Sequence, residues 1–381
     1  MRCALRRCAL EGVRIADEVH PDGLRTLLGV LYLTEPENLA SLLPDGEPSF
    51  RADQVREWLY AHPVMATEDM TNLPVELRKQ WADSLWPFTV DVEQTGDQGR
   101  TVKWLFRAGD GVGIEAVLMG YPDRTTLCLS SQAGCALACT FCATGQFGFE
   151  RNLEAGEIVA QVAYAKAFLA SRGLAGSPSE LTNVVFMGMG EPLANYPRVR
   201  EALRRMIDVM DMGARSITVS TVGVVPGMRK LADEPWQVNM AVSIHAADDE
   251  LRSELVPLNR RYPLAEIETA AAEYFEKKGR RVSLEWTMID GVNDTADQAH
   301  KLAALARRLH AHVNLIALNA TPLSPMRPSS PGRVTAFADL LAADGANVTV
   351  RNTRGADIDA ACGQLRALAA PRRNRLHVTP A

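Results

Sequence analysis

The sequence predicts an α/β fold: an open, partial (β/α)6-type barrel, a small N-terminal helical accessory domain and a short β extension between them. Three observations predict it. From about residue 125, β-branched strands alternate with helical stretches that carry an apolar stripe, the pattern of parallel strands joined by crossover helices. The alternation gives about six units, too few for a closed eight-unit barrel. The chain before it reads as short helices and then as a β-hairpin.

Residues 1–25, which open MRCALRRCAL, are expected to be a disordered extension; no long apolar core precedes a cleavage site, so a signal peptide is not expected. Cys3 and Cys8 fall there and are assigned no function. Residues 26–95 form the helical domain. In SFRADQVREWLYAH (49–62), Phe50, Val55, Trp58 and Leu59 share one side and Ser49 is placed to cap. TNLPVELRKQWADSL (71–85) repeats the style, with Pro74 near its first turn. Arginines, lysines and aromatics mixed in short helices suit an RNA-binding module and a plain helical cap equally. Residues 96–122 alternate around Gly109-Asp110-Gly111 and read as the β extension.

The barrel is expected over 123–355. Its strands are read at 125–130, 181–188, 216–222, 238–245, 281–289 and 312–318, with a further one at 347–353. The helix at 154–173 stripes Ile158, Val162, Ala165 and Leu169 and stops at Gly173. The helix at 295–309 opens with a Thr295/Gln298 capping box, and another runs over 334–345. Residues 356–381 form a C-terminal segment with a cysteine loop and a basic tail. In such folds the chemistry sits at the C-terminal ends of the strands.

Composition narrows the function classes. Of 381 residues, 47% are hydrophobic and 23% charged, which excludes a disordered, collagenous or coiled-coil chain. No apolar run reaches the length of about 18 residues that a spanning helix needs. The net charge of −5 argues mildly against a nucleic-acid binder. That sum hides a basic end, since 351–381 holds six arginines (351, 354, 366, 372, 373 and 375) against Asp357 and Asp359. Arg204, Arg205, Arg215, Arg252, Arg260 and Arg261 are further candidates for RNA contact. The seven cysteines are too few for a disulfide scaffold and suit a reducing compartment, hence a cytoplasmic protein.

Three of the cysteines crowd into SSQAGCALACTFCATGQFG (130–148), where Cys135, Cys139 and Cys142 make C-x3-C-x2-C after the first barrel strand. Thiolates are the ligands that soft metals and iron–sulfur clusters require. Three of them on a 4Fe-4S cluster leave one iron open, whereas structural zinc takes four ligands. Cys128 as a fourth ligand is disfavoured by its place within a strand, seven residues upstream. In VVFMGMGEPL (184–193), Gly188 and Gly190 would let the backbone approach a small ligand, and Glu191 could accept from an ammonium. Met187, Met189 and Met240 read as packing, and His300, His310 and His312 lack metal spacing. The Pro- and Ser-rich stretch 321–333 reads as a long loop on the active face, where it could touch RNA.

These motifs resemble the radical S-adenosylmethionine superfamily. The order TLCLSSQAGCALACTFCATG, FMGMGEPL, VSTVGVVPG, VSIHAADDELR, LIALN and TRGADIDAACGQL resembles, within it, the family of adenine-C2 methyltransferases of 23S rRNA and tRNA, from about Phe50 to about Arg375. Cys128 and Cys362 are its specific marks. The resemblance implies a 4Fe-4S cluster on Cys135, Cys139 and Cys142 and contacts to S-adenosyl-L-methionine from Gly190, Glu191, Ser220, Ser243, Ile244, His245 and Asn319. It implies a methyl carried on Cys362, an adduct resolved by a disulfide with Cys128, and Glu115 as proton acceptor, two S-adenosylmethionine molecules being used per turnover. From the residues alone, Glu115 could equally be a surface strand carboxylate and His245 a strand cap. The expected partners are 23S rRNA, tRNA and an external electron donor such as a flavodoxin or ferredoxin, with no membrane and a monomer as the default state. Two other readings stay open: a related enzyme methylating carbon 8 of adenine, and a non-catalytic, zinc-stabilised RNA-binding protein.

Overall fold

The computed structural model describes residues 30–319, 321, 324–351, 354–361 and 363–365. Cys3, Cys8, Cys362, the expected extension 1–25 and Arg366, Arg372, Arg373 and Arg375 lie outside the described residues.

The N-terminal domain opens with a single turn at Leu31–Leu33 and a 3-10 helix at Pro36–Leu42, then α1 (Phe50–Arg56) and α2 (Val75–Gln80). Helix α1 runs on into a π turn at Glu57–Ala61. Its buried side is narrower than the sequence suggests: Val55 and Leu59 are in the core, while Phe50 is 53% exposed with the Arg51 guanidinium 4.9 Å from its ring centroid. The Ser49 side chain makes no capping bond.

The β extension is a three-stranded antiparallel meander, β1 (Phe88–Gly96), β2 (Thr101–Ala108) and β3 (Gly113–Tyr121). It therefore begins at Phe88, inside the stretch read as helical up to residue 95. The reason is that β1 is an edge strand exposed at every residue between Phe88 and Gly96. Nothing forces its sequence to alternate, so the period-two signal is absent.

The barrel follows. Strand β4 (Arg124–Cys128) pairs antiparallel with β3 on one side and parallel with the barrel on the other. A loop then carries the short ribbon β5 (Gln132–Gly134) and β6 (Phe149–Asn152), with α3 (Ala143–Phe147) between them. Helix α4 (Ala155–Arg172) leads to β7 (Asn183–Phe186), α5 (Tyr196–Arg204) to β8 (Ile217–Thr221), and α6 (Val225–Asp233) to β9 (Asn239–Ser243). Helices α7 (Asp249–Leu255) and α8 (Leu264–Lys278) precede β10 (Ser283–Met288); α9 (Ala296–Arg308) precedes β11 (His312–Ala317), and α10 (Pro331–Ala343) precedes β12 (Asn347–Arg351). The sheet order is β1-β2-β3-β4-β7-β8-β9-β10-β11-β12, so seven parallel strands are joined by six crossovers in an unclosed (β/α)6 barrel.

Local chemistry fixes the long helices. Glu154 and Glu157 form a complete capping box at α4, and Arg151 holds Glu157 with two bonds of 2.7 and 2.8 Å. At α9 only half of the expected box forms. Thr295 Oγ1 accepts from the Gln298 amide, but the Gln298 side chain instead accepts from Ala247 N and donates to Asp248. It ties α9 to the loop after β9.

One hydrophobic core runs through all three regions. Its spine is aromatic: Tyr32 stacks on Trp86 (5.0 Å), and Phe88, Trp104 and Phe106 close around Tyr164 of α4. Gly156 permits the junction, since a Cβ there would lie 2.2 Å from Tyr32 O. Arg205, buried after α5, donates to the carbonyls of Tyr32 and Thr34, and Arg204 pairs with Glu37 and Glu201. Two of the arginines expected to meet RNA thus hold the N-terminal domain to the barrel.

Candidate active site

The loops at the C-terminal ends of the parallel strands enclose a cleft of about 940 Å3, counting its mouth. Cys135, Cys139 and Cys142 line one side; Gly190 and Glu191, Ser220, Ser243 and His245 line the others. All three cysteines are free thiols. Burial pushes Cys135 up to about 12 and Cys139 well above the usual thiol range. Such thiols ionise when a metal's positive charge meets them, so three thiols lining one cleft are a donor set that fits an iron–sulfur cluster. Among the described residues no three His, Cys, Asp or Glu side chains converge as a single-ion site would require. A cluster differs in giving each thiolate its own iron, while a mononuclear zinc draws every sulfur to about 2.3 Å from one ion. The cysteine loop is strained in keeping with a site: Ala138 holds φ at +51°, outside the range of most non-glycine residues.

Glu191 is buried, and its two carboxylate oxygens accept from Leu193 N (3.0 Å) and Val222 N (2.9 Å). Burial outweighs these bonds and raises the carboxyl to about 7. His245 is also buried, at φ +58°. Its Nδ1 accepts from Thr287 N at 3.0 Å, and its ring meets Phe141 edge-on at 4.6 Å. Burial, with the charge of Arg252, lowers it to about 3, so the ring is neutral and its tautomer is set by the strand amide. His245 thus caps the strand end and also lines the cleft.

The glycines of GMGEP line the cleft and are also required by close packing within the protein. A Cβ at Gly188 would fall 2.5 Å from Leu129 O, and one at Gly190 (φ +97°) would fall 2.5 Å from the Gln132 side chain. They let the β7 loop lie against the segment after β4, which also donates Met189 N to Ser130 Oγ and Glu191 N to Gln132 Oε1. Ile244 is fully buried in the main core and presents no side chain to the cleft; its backbone bonds Glu285 O and the Arg252 guanidinium. Asn319 lines a second, smaller cavity rather than the cleft.

That second cavity holds Cys128, with Met119, Tyr121, Arg351, Arg354, Ala360 and Ala361 among its walls. Met187 and Ile316 line both cavities and form the partition, so Met187 does more than pack. Cys128 belongs to an apolar group with Val117, Met189, Ala360 and Leu365. The residues that follow Cys362 are pinned to the cysteine loop: Ala143 N donates to Gly363 O at 2.8 Å, and Thr144 Oγ1 to Leu365 O at 2.5 Å.

The β extension grips the same loop. Asp97, in the β1–β2 turn, accepts from Gly355 N (2.9 Å) and Thr101 Oγ1 (2.5 Å), and its own amide donates to Asp357 (3.0 Å). Lys103 of β2 donates to Asp359 O (3.2 Å) and lies 3.4 Å from Glu115. Glu115 is buried on β3, two residues before Val117, the register partner of Cys128. The surface-carboxylate reading of Glu115 is thereby excluded.

Two further expectations change. Arg252 is fully buried and donates to the carbonyls of Ile244, Val222 and Ser243 and to Asn259 Oδ1, so it braces the β9 loop and meets no RNA. Met326, in the stretch read as a long loop, packs with Cys139 and Phe141, and α10 begins within that stretch at Pro331. Arg215, Arg260 and Arg261 are exposed. Sequence reasoning missed Glu285, which lines the cleft and is held by Asn314 (2.8 Å) and Arg351 (3.2 Å). A carboxylate in the middle of the otherwise apolar run LEWTM was the available signal.

Residues 129–303 match the family described as the radical SAM superfamily, and 35–85 match the ribosomal RNA large subunit methyltransferase N-terminal domain. A probable dual-specificity RNA methyltransferase RlmN of Frankia alni is 51% identical over 339 residues, covering 87% of this chain and 81% of its own. The protein of the same description from Salinispora tropica is 51% identical over 332 residues, covering 86% and 89%. A crystal structure of a radical SAM methyltransferase from Sphaerobacter thermophilus superposes with a TM-score of 0.82 at 50% identity, over 89% of this chain and 99% of that one.

Proposed function

From the premise that this chain belongs to the RlmN family of radical S-adenosylmethionine methyltransferases, we propose that it methylates carbon 2 of an adenosine in 23S rRNA, at the peptidyl-transferase centre, and in tRNA, next to the anticodon. The relatives' description as dual-specificity RNA methyltransferases supports this reading, and family membership removes the non-catalytic zinc protein. The observation that carries it is the pinning of Gly363 and Leu365 to the cysteine loop while Cys128 packs against Ala360 and Leu365. The chain around Cys362 is thus held between a cleft that fits a cofactor and a cavity that holds a second thiol.

Carbon 2 of adenine is an electrophilic amidine carbon and does not take a methyl cation by displacement. When bound, a 4Fe-4S cluster with S-adenosylmethionine supplies a one-electron cleavage that generates a carbon radical. Cys135, Cys139 and Cys142 would hold the cluster, and Gly190, Glu191, Ser220, Ser243 and His245 would face the cofactor. Ile244 would contribute through its backbone, and Asn319 from the side of the smaller cavity. Cys362 carries the methyl group as a thioether, its thiolate being the nucleophile that accepts it. That methyl group would lose a hydrogen atom to the carbon radical, so that its carbon can bond to carbon 2 of adenine; the adduct would return one electron to the cluster as Glu115 takes the proton leaving carbon 2. Cys128 then attacks the Cys362 sulfur. The sulfur–sulfur bond forms as the carbon–sulfur bond breaks, the electron pair stays with the base and a proton completes the methyl group. An external reductant returns two electrons and two protons to the disulfide, and an electron donor such as a flavodoxin or ferredoxin supplies the single electron for cofactor cleavage. Among the described residues no helix is long and apolar enough to cross a membrane; we place the protein in the cytoplasm, where its RNA is.

Mass spectrometry of nucleosides from rRNA and tRNA of cells lacking the protein tests this reading. Loss of 2-methyladenosine, restored by the wild-type chain, is expected. Its retention, or loss of 8-methyladenosine instead, overturns the reading.

A further inference from the structure

The smaller cavity carries a cation that neither the thiols nor the cofactor cleft uses. Two arginines, Arg351 and Arg354, line it, and a third, Arg124, lies over the ring of its wall residue Tyr121. Arg124 is neutralised by Asp123 at 3.0 and 3.2 Å, and Arg351 by Glu285 at 3.2 Å. Arg354 pairs with no carboxylate among the described residues, and its buried Nε meets no hydrogen-bond acceptor there. Among the described residues no Asp or Glu lines this cavity. What holds the Arg354 guanidinium is the Tyr121 ring, 4.9 Å from it to the centroid; the Arg124 guanidinium lies 4.0 Å from the same ring.

Burying part of a guanidinium without an acceptor is unfavourable unless a ligand completes it. A ring face braces the group and leaves its N–H edge open, the fork that matches a phosphate. Resting on the RNA methyltransferase reading, we infer that Arg354, braced by Tyr121, receives a backbone phosphate of the target nucleotide when its base enters the smaller cavity beside Cys128. A base taken out of its stack brings its own phosphodiester to the pocket mouth. A phosphate contact fixes the position of that base without reading sequence. This suits an enzyme whose rRNA and tRNA substrates need share only the adenosine and its backbone. Arg354 is a positioning residue in this scheme.

The test measures binding of the full-length, cluster-loaded chain to a tRNA as a function of salt. Removing one phosphate contact lowers the slope of log affinity against log salt by about 0.7 for single-stranded RNA. Arg354→Gln is expected to lose that increment and to raise the KM for RNA about tenfold. Arg354→Lys is expected to keep the slope, because the charge remains, and Arg124→Gln to keep it because that arginine is already paired. An Arg354→Gln protein with the wild-type slope overturns the inference, as does one whose defect lies in KM for S-adenosylmethionine. Because that result would come from a chain that still methylates adenosine in RNA, it leaves the function reading intact; a chain that methylates no RNA would fail that reading first.

Discussion

Asp97 is remote in sequence from Cys362, yet it clasps the loop at 354–361. Its carboxylate accepts from Gly355 N and Thr101 Oγ1. Hydrogen bonds to a charged acceptor contribute about 1.5–3 kcal/mol, and Asp97 is half-buried, so the lower end applies. Asp97→Ala should therefore weaken docking of the 354–361 loop by about 1.5–2 kcal/mol, a ten- to thirtyfold rise in its undocked population. Amide hydrogen exchange reads this directly: the peptide spanning 354–361 should exchange ten- to thirtyfold faster, with the 101–108 strand unchanged. Cofactor cleavage should continue with fewer methyl groups delivered per cleavage, and Asp97→Asn, which keeps an acceptor oxygen, should recover most of the coupling. Unchanged exchange at 354–361 would refute the reasoning. Equal acceleration in the β strands would refute it too, by showing general destabilisation in place of local release.

Other consequences follow from the same geometry. Cys362→Ala should abolish RNA methylation and keep the cluster's visible absorption and cofactor cleavage, measured as 5′-deoxyadenosine. Gly190→Ala must accept φ of +97° and a contact 2.5 Å from the Gln132 side chain; a loss of about 3 kcal/mol in denaturant unfolding is expected, with weakened cofactor binding. The Glu191 carboxyl stands at about 7 in the fold against the usual range near 4.5. The folded chain thus binds the proton more tightly, so its stabilisation is complete below about pH 4.5 and is lost as pH rises to about 7. Glu191→Gln should flatten that part of the stability profile, by on the order of 3 kcal/mol. Arg252→Met leaves four acceptors without their donor, two of them buried and two half-buried; a stability loss of about 3 kcal/mol is expected with no change in the salt dependence of RNA binding.

What the sequence made legible is what local patterning controls. The barrel strands are β-branched and buried, so they stand out within one or two residues of their ends, as at Ile217–Thr221 and His312–Ala317. The cysteine spacing declared its chemistry because three thiols within one loop have few other uses. Edge strand β1 was hidden because solvent on both faces imposes no pattern on it. Arg205 and Arg252 misled because arginine is by default a surface residue, and only tertiary carbonyls reveal them as braces. The Asp97 clasp was out of reach of local reading, since its partner Gly355 lies 258 residues away. Gly188 and Gly190 were located from the motif, but their second constraint was not legible: backbone and side chain after β4 lie where a Cβ would stand, while both glycines also line the cleft.

The most direct test traps the proposed intermediate. Cys128→Ala removes the thiol that would release the product, so anaerobic turnover with tRNA should accumulate a covalent protein–RNA adduct. After nuclease and protease digestion, mass spectrometry should find the peptide containing Cys362 joined to adenosine through one carbon, at position 2 of the base. An adduct on another residue, attachment at carbon 8, or no adduct while methylated RNA still forms would contradict the account.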